Sequence, residues 1–196
     1  QQSVFKSKEG AEDQGSDARA IIYRKTRRGD TVIGISASGV TAFAYHALKA
    51  GKEKGCATIL LTSNKNIPKL SFVDQVIALQ TGPEVIAGST RLKAGTATKL
   101  ALNMITVGTM VRLGKIYGNR MVDLQPRSKK LEARASRLVQ DLSKVSAAQA
   151  SHYLKESRGN AKTAILMARK KISFQEAARR LKKADGFLEL ALQEND

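Results

Sequence analysis

The amino-acid sequence predicts an α/β fold, with a parallel sheet flanked by helices in three layers and a small helical module after it. Three short apolar runs of buried-strand type indicate the sheet, at residues 31–35, 57–62 and 75–79. Helical stretches separate these runs, and that order favours parallel strands. No strand pattern follows Pro126. The sequence therefore predicts an α/β domain over residues 1–127 and a helical module over residues 128–196.

The elements of the first domain follow from local patterns. Residues 8–13 place three carboxylates beside a glycine, which is typical of a solvated loop or a helix start. An amphipathic helix is predicted over residues 42–54, where Gly55 ends it. A long helix is predicted over residues 93–113, and its apolar positions run nearly all the way round. We expect this helix to be buried on more than one side, against the sheet and a subunit interface.

The second domain reads as a series of short helices, at residues 128–142, 147–155, 161–170, 173–182 and 187–193. Ser173 and Glu176 have the spacing of a capping box. Such basic helices resemble peptide-binding modules, but a lid or a dimer-packing element is the simpler interpretation.

The net charge of +17 raises the possibility of a nucleic-acid partner. The positive excess is spread along the sequence, because residues 1–119 hold 17 Lys and Arg against 8 Asp and Glu, and residues 120–196 hold 17 against 9. The sequence has no zinc-finger or basic-zipper spacing, which argues against specific nucleic-acid binding. Cys56 is the single cysteine, and His46 and His152 are isolated, so no metal site is predicted. The longest apolar region is too short to cross a membrane, which favours a cytoplasmic protein.

A loop of small hydroxyl residues and glycine joins the first strand to the next helix. It contains Ser36, Ser38, Gly39 and Thr41. A strand, such a loop and a helix together aim backbone N–H groups and hydroxyls at a phosphate. The loop lacks the lysine of a Walker motif and the glycine spacing of a dinucleotide fingerprint, so a sugar phosphate fits better. The alternative is a plain capped helix with a tight turn.

A second loop, residues 82–93, follows the third strand. It carries Glu84 and Ser89, and then places Arg91 and Lys93 where the long helix begins. Cations are disfavoured at a helix N-terminus, so an anion bound there would explain them. The alternative is that Ser89 or Thr90 caps the helix while the two cations extend into water or pair with Glu84. Both loops follow strand ends, so they can converge on one site.

Four segments carry a resemblance to a known family: residues 9–13 (EGAED), 34–41 (GISASGVT), 82–96 (GPEVIAGSTRLKAGT) and 114–123 (GKIYGNRMVD). Together they resemble the bacterial N-acetylmuramic acid 6-phosphate etherases of the sugar isomerase (SIS) superfamily, of which the mammalian glucokinase regulatory protein is a relative. The similarity runs from about residue 8 to the end of the sequence, and residues 82–96 are its most specific part.

The resemblance implies a cytoplasmic lyase of cell-wall recycling that acts without a metal or organic cofactor. Such enzymes convert N-acetylmuramic acid 6-phosphate to N-acetylglucosamine 6-phosphate and D-lactate. Glu12 matches the carboxylate that removes the proton at carbon 2 of the opened sugar. Eight residues match the substrate-binding positions of the family, partly across a homodimer interface: Ser36, Ser38, Gly39, Thr41, Glu84, Ser89, Arg91 and Lys93.

The sequence departs from the family in one respect. Such etherases carry another phosphate-binding loop and a second catalytic glutamate upstream of the Glu12 segment, and this sequence shows neither. The sequence is therefore either a piece of a longer protein or a shortened relative, and Gln1 in place of a methionine favours the first. A non-catalytic sugar-phosphate sensor is the main alternative to a lyase, and a nucleic-acid-binding module is the third.

Overall fold

The computed structural model describes residues 10, 14–124 and 128–194. The chain divides into two units, Gln1–Asn103 and Met104–Asp196. The elements up to the third helix are α1 (Gly15–Lys25), β1 (Thr31–Ile35), α2 (Ala42–Glu53), β2 (Ala57–Thr62), β3 (Gln75–Ala78) and α3 (Lys93–Arg112). Those that follow are β4 (Ile116–Tyr117), β5 (Arg120–Met121), α4 (Lys129–Ser143), α5 (Ala147–Glu156), α6 (Ala161–Lys170), α7 (Phe174–Lys183) and α8 (Leu188–Gln193).

The first three strands form a parallel sheet in the order β1-β2-β3. Thr31 lies opposite Ala57, and Ile59 lies opposite Gln75. This arrangement confirms the predicted α/β class, and every predicted strand and helix begins and ends within one residue of the observed element. Since the strands are parallel, the loops that follow β1, β2 and β3 all leave the same edge of the sheet.

Helix α2 packs on the sheet through a small apolar core. Leu48 meets Val32 and Leu60 there, and all three side chains are buried. Gly34 allows this close approach, because a Cβ atom at that position would lie 2.7 Å from Cδ1 of Leu48. Cys56 is buried in the same cluster.

Helix α3 does not have the burial that the sequence predicts. Its buried side chains are Ala94 and Ala101 alone. Five of its larger apolar side chains are 40–69% exposed, namely Leu100, Met104, Val107, Met110 and Val111, while Leu102 and Ile105 are half-buried. Within this chain α3 is therefore not buried on more than one side, and the expected subunit interface stays a prediction. An apolar helix surface of this kind is suited to contact with a partner.

The second unit is built around α6, in which Ala161 to Ala168 are all buried. Helices α4, α5, α7 and α8 pack against it. Four of these helices begin at a polar cap whose side chain accepts a backbone N–H, at Ser128, Ser146, Asn160 and Ser173. Caps of this type typically contribute about 1 kcal/mol each. The sequence shows these helix starts clearly because the caps are local.

A buried ammonium group connects three parts of this unit. Lys162 of α6 donates to the carbonyl of Gly114 at 3.0 Å and to that of Gly186 at 2.8 Å. Burial lowers the pKa of Lys162, and the Asp123 carboxylate opposes that shift. Lys162 thus ties α6 to the residues that follow α3 and precede α8.

The Glu176 carboxylate gives the second unit a predictable response to acid. Arg179 and Arg180 both donate to it at 2.7 Å, and these bonds lower the pKa of Glu176 to about 2. A carboxylate with a depressed folded-state pKa stabilises the fold above its ordinary pKa, and this stabilisation is lost as the pH falls through the depressed value. We expect the thermal midpoint to drop between about pH 4.5 and pH 2.

Glu176→Gln should make that drop smaller and should lower the midpoint at pH 7. The measurement is thermal unfolding by circular dichroism across this pH range. Glu189→Gln, an exposed glutamate in the first turn of α8, serves as the control and should keep the wild-type profile. If the thermal midpoints of wild type and Glu176→Gln fall in parallel with pH, Glu176 is not the source of the acid sensitivity.

Two elements lie outside the predictions, helix α1 and the short hairpin β4–β5. The domain boundary at residues 127 and 128 stays a prediction. Within the described ranges, no helix is both long and apolar enough to cross a membrane.

Candidate functional site

The loop after β1 is organised around the hydroxyl of Ser36. Ser36 Oγ accepts from the backbone N–H of Gly39 at 3.0 Å and from that of Thr41 at 3.3 Å. It also shares a hydrogen bond of 2.7 Å with Thr41 Oγ1. Ser36 is only 4% exposed. Its hydroxyl therefore shapes the loop from within, while Ser38 lies exposed at the surface.

Gly39 fits the loop because it has no side chain. Its φ of +79° lies in the left-handed region, and an added Cβ would lie 2.2 Å from Cδ1 of Ile67 and 3.0 Å from Oγ1 of Thr62. The end of β2 supports the loop from the other side. Thr62 Oγ1 donates to the carbonyl of Ala37 at 3.2 Å, and Asn64 donates to the carbonyl of Ser38 at 3.0 Å.

Helix α2 begins directly after this loop. Thr41 is its N-cap residue, and its side chain makes no capping hydrogen bond. Uncapped N–H groups at a helix start can receive an anion. Thr41 also lines a cavity of about 440 Å³ along β1, whose other lining residues are apolar or glycine. This loop can therefore offer N–H groups and the hydroxyls of Ser38 and Thr41 to a ligand at the carboxyl edge of the sheet.

The second loop is held by Glu84. The backbone N–H groups of Lys93 and Ala94 donate to its two carboxylate oxygens, each at 2.9 Å. These bonds, first that of Ala94 and then that of Lys93, lower the pKa of Glu84. The anion at the start of α3 is thus a side chain of the loop itself, and neither Ser89 nor Thr90 takes that place. This explains how α3 tolerates Lys93 in its first turn.

Arg91 and Lys93 are both exposed and line a depression of about 490 Å³ on the first turns of α3, together with Thr96. Two cations beside a helix start form a suitable site for a phosphate. Strands β1 and β3 are separated only by β2, so the two loops leave the sheet about 10 Å apart.

Comparison with known proteins supports the resemblance seen in the sequence. Residues 14–108 match the SIS domain model. The N-acetylmuramic acid 6-phosphate etherase of Geobacillus thermodenitrificans is 43% identical over 97% of this chain and 65% of its own length. The proteins of the same name from Clostridium acetobutylicum and Deinococcus radiodurans are 44% and 42% identical, over 97% and 100% of this chain and 64% and 65% of their own lengths.

Over nearly all of its length, this chain is similar to N-acetylmuramic acid 6-phosphate etherases. The resemblance to these etherases that the sequence motifs suggested is thereby confirmed. The chain spans about 65% of the length of these curated relatives.

The predicted etherase-site residues fall into three groups. Those directed into their loops are Ser36 and Glu84, whose side chains bind backbone N–H groups. Those that are exposed or line a cavity are Ser38, Thr41, Arg91 and Lys93. The predicted catalytic residue, Glu12, lies outside the described residues. The roles of all these residues, with Gly39 and Ser89, stay predictions.

Sequence reasoning missed the contributions of Thr62, Ser63 and Asn64. Thr62 ends β2, and Ser63 and Asn64 follow it. All three contact the Ser36 loop; Ser63, for example, donates its backbone N–H to the carbonyl of Ala37. The strand-end rule that selected the other two loops would have selected this one also. The Ser63 hydroxyl is buried and has no hydrogen-bond partner among the described residues. No group of three or more metal-ligating side chains is found in the part of the chain that the structure describes.

Glu84 leads to a testable expectation about α3. Glu84→Gln removes the charge and replaces one acceptor oxygen with an amide donor, so one of the two N–H groups loses its partner. Amide hydrogen exchange at Lys93 and Ala94 should become about five- to tenfold faster, as for the loss of a helix cap. Asp17→Asn, an exposed carboxylate in α1, is the control. Unchanged exchange in Glu84→Gln would show that the carboxylate does not cap α3.

Proposed function

We propose that the protein is a lyase that cleaves the D-lactyl ether of N-acetylmuramic acid 6-phosphate. The products are N-acetylglucosamine 6-phosphate and D-lactate, released in the cytoplasm during recycling of cell-wall sugars. The observation that carries this proposal is 42–44% identity, over nearly the whole chain, to proteins named as this etherase. The two polar loops at one edge of the sheet support it, because that edge is where such sheets bind ligands.

The proposed roles follow the geometry of the two loops. The hydroxyls of Ser38 and Thr41 bind phosphate or sugar oxygens, and Gly39 gives the loop the turn that presents them, while Arg91 and Lys93 balance the charge of the phosphate. Ser89 completes the second loop. Ser36 and Glu84 contribute by holding the loops in shape, because their polar atoms already bind backbone N–H groups.

The proposed reaction is an elimination followed by a hydration. The Glu12 carboxylate takes the proton from carbon 2, a double bond forms between carbons 2 and 3, and the bond from carbon 3 to the lactyl oxygen breaks. That oxygen leaves with the electron pair and takes up a proton, giving D-lactate. Water then adds across the double bond, with its hydroxyl on carbon 3. To act as the general base, a carboxylate must lie within about 3 Å of the atom whose proton it removes.

The experiment uses the protein tagged at its own chromosomal locus and purified from its native source. Its intact mass is measured, and it is incubated with N-acetylmuramic acid 6-phosphate in a coupled D-lactate assay. Release of D-lactate is the expected result. Thermal stabilisation by the sugar phosphate without release would indicate a non-catalytic sugar-phosphate-binding protein instead. If the sugar phosphate causes no release of D-lactate and no thermal stabilisation, the sugar-phosphate assignment is overturned.

We also propose that the protein forms a homodimer through α3. Met104, Val107 and Val111 are spaced three and four residues apart on α3, so they share one helix face, and all three are exposed. A second copy would remove this apolar face from water.

Val107→Asp should weaken self-association at least about tenfold, since a charge would be buried in the interface. Sedimentation equilibrium measures this change. Thr109→Asp, an exposed polar position on the same helix, is the matched control and should have a smaller effect. A wild-type protein that is monomeric at high concentration would contradict the dimer.

A further inference from the structure

A groove of about 710 Å³ runs between the β4–β5 hairpin and α4. Arg120 and Met121 line its hairpin side, whereas Lys130, Arg134 and Arg137 line its helix side. The three helix positions are spaced four and three residues apart, so their side chains share one face of α4. They extend over about 10 Å of helix axis. All four cations are exposed.

The charge of this groove is uneven. Asp141 is the one carboxylate that lines it, and it is paired with Arg120 at 2.6 Å. None of Lys130, Arg134 and Arg137 forms an ion pair with another described residue. The groove is therefore lined by four cations and one carboxylate, and Asp141, which pairs with Arg120, also interacts electrostatically with Arg137.

The base of the groove is apolar. Leu131 and Leu138 lie beside the cations on α4, and Met121 lines the groove from the hairpin with 48% of its surface exposed. A ligand in this groove would meet apolar carbon at the centre and cations along one wall.

We propose that this groove binds an acidic segment of another protein, in which two or three carboxylates flank one apolar side chain. Alternate residues of an extended peptide lie about 6.4–6.8 Å apart. Neighbouring cations of α4 lie about 4.5–6 Å apart along the helix axis, and their long side chains can spread to reach carboxylates at the wider spacing. A free sugar phosphate has its charge at one end and would leave most of the row unused. A nucleic acid would place phosphates against the apolar base and Asp141, and no aromatic side chain lines the groove for its bases.

The test measures fluorescence anisotropy of a fluorescein-labelled nonapeptide that carries four glutamates and a central leucine, at 150 mM salt. Arg134→Glu with Arg137→Glu should weaken its binding to the full chain at least about tenfold. The matched control, Lys155→Glu with Lys182→Glu, makes the same change in net charge at exposed positions of α5 and α7. The control should stay within about twofold of wild type. Equal losses in both variants would show binding to bulk charge and overturn the proposal.

Two further arms sharpen the test. Met121→Gln should weaken the leucine peptide several-fold and leave a peptide with central glycine unchanged; equal effects on both would contradict the apolar contact. If Arg134→Glu with Arg137→Glu fails to fold by circular dichroism, Arg134→Gln with Arg137→Gln takes its place. A decamer of oligothymidylate is measured in the same way. If it binds more tightly than the peptide, and if Arg134→Glu with Arg137→Glu abolishes that binding, the groove is a nucleic-acid site and the proposal is overturned.

Discussion

Glu12→Gln is expected to slow the release of D-lactate from N-acetylmuramic acid 6-phosphate by about 10²- to 10⁴-fold, the usual contribution of a general base. Glutamine has nearly the same shape as glutamate but cannot accept the proton from carbon 2. The loss should fall on kcat more than on KM, because the proposed phosphate contacts come from other residues. Initial rates at saturating and limiting substrate separate the two constants.

Two comparisons make the Glu12 result specific. Asp17→Asn removes an exposed carboxylate from the first turn of α1 and should keep the wild-type rate. Stabilisation by the substrate should persist in Glu12→Gln, since binding does not need the base. If the wild-type protein releases D-lactate and the rate of Glu12→Gln is within about threefold of the wild-type rate, the general base is a residue other than Glu12. Absence of release by the wild type would instead reject the lyase.

The α/β fold could be predicted because its signals are local. β1 and β2 are short apolar runs, rich in β-branched residues, that lie between turn residues, and their ends agree with the sequence pattern to the residue. Four helices of the second unit, α4 to α7, start at Ser or Asn caps, which act within three residues. The hairpin β4–β5 has strands of two residues each, too short for any periodicity to be seen.

The site could be predicted only in part, because its details depend on contacts between distant residues. Glu84 caps a helix that starts nine residues later, and this depends on the path of the whole loop. Rules for helix caps examine only the residue next to the first turn. Ser36 and Ser38 are equivalent in the sequence pattern, yet one is buried in its loop and the other is exposed.

Helix α3 shows what an apolar sequence pattern does not predict about burial. Its apolar pattern correctly predicted a helix but not what covers it, because a sequence pattern does not distinguish a core from an interface between chains. The exposure of Met104 and Val107 could be found only from the structure.

Gly39→Ala is expected to destabilise the first unit by about 2–5 kcal/mol. A residue with a Cβ at a φ of +79° costs about 1–2 kcal/mol. Overpacking adds about 1–3 kcal/mol, since the new methyl group would lie 2.2 Å from Ile67 and 3.0 Å from Thr62. Ile67 can move its terminal carbon, so Thr62, which is fully buried, sets much of the cost.

Gly88→Ala separates the two contributions to this loss. Gly88 has the same φ of +79°, but nothing lies within 4 Å of a Cβ at that position. It should therefore lose only the conformational part, about 1–2 kcal/mol. Hydrogen exchange of the β2 amides under native conditions measures both variants within the first unit. Equal losses would show that the pocket around Gly39 is not tightly packed. A larger loss in Gly39→Ala, together with weaker stabilisation by N-acetylglucosamine 6-phosphate, would show that the close contact of this loop with the end of β2 gives the ligand-binding edge its shape.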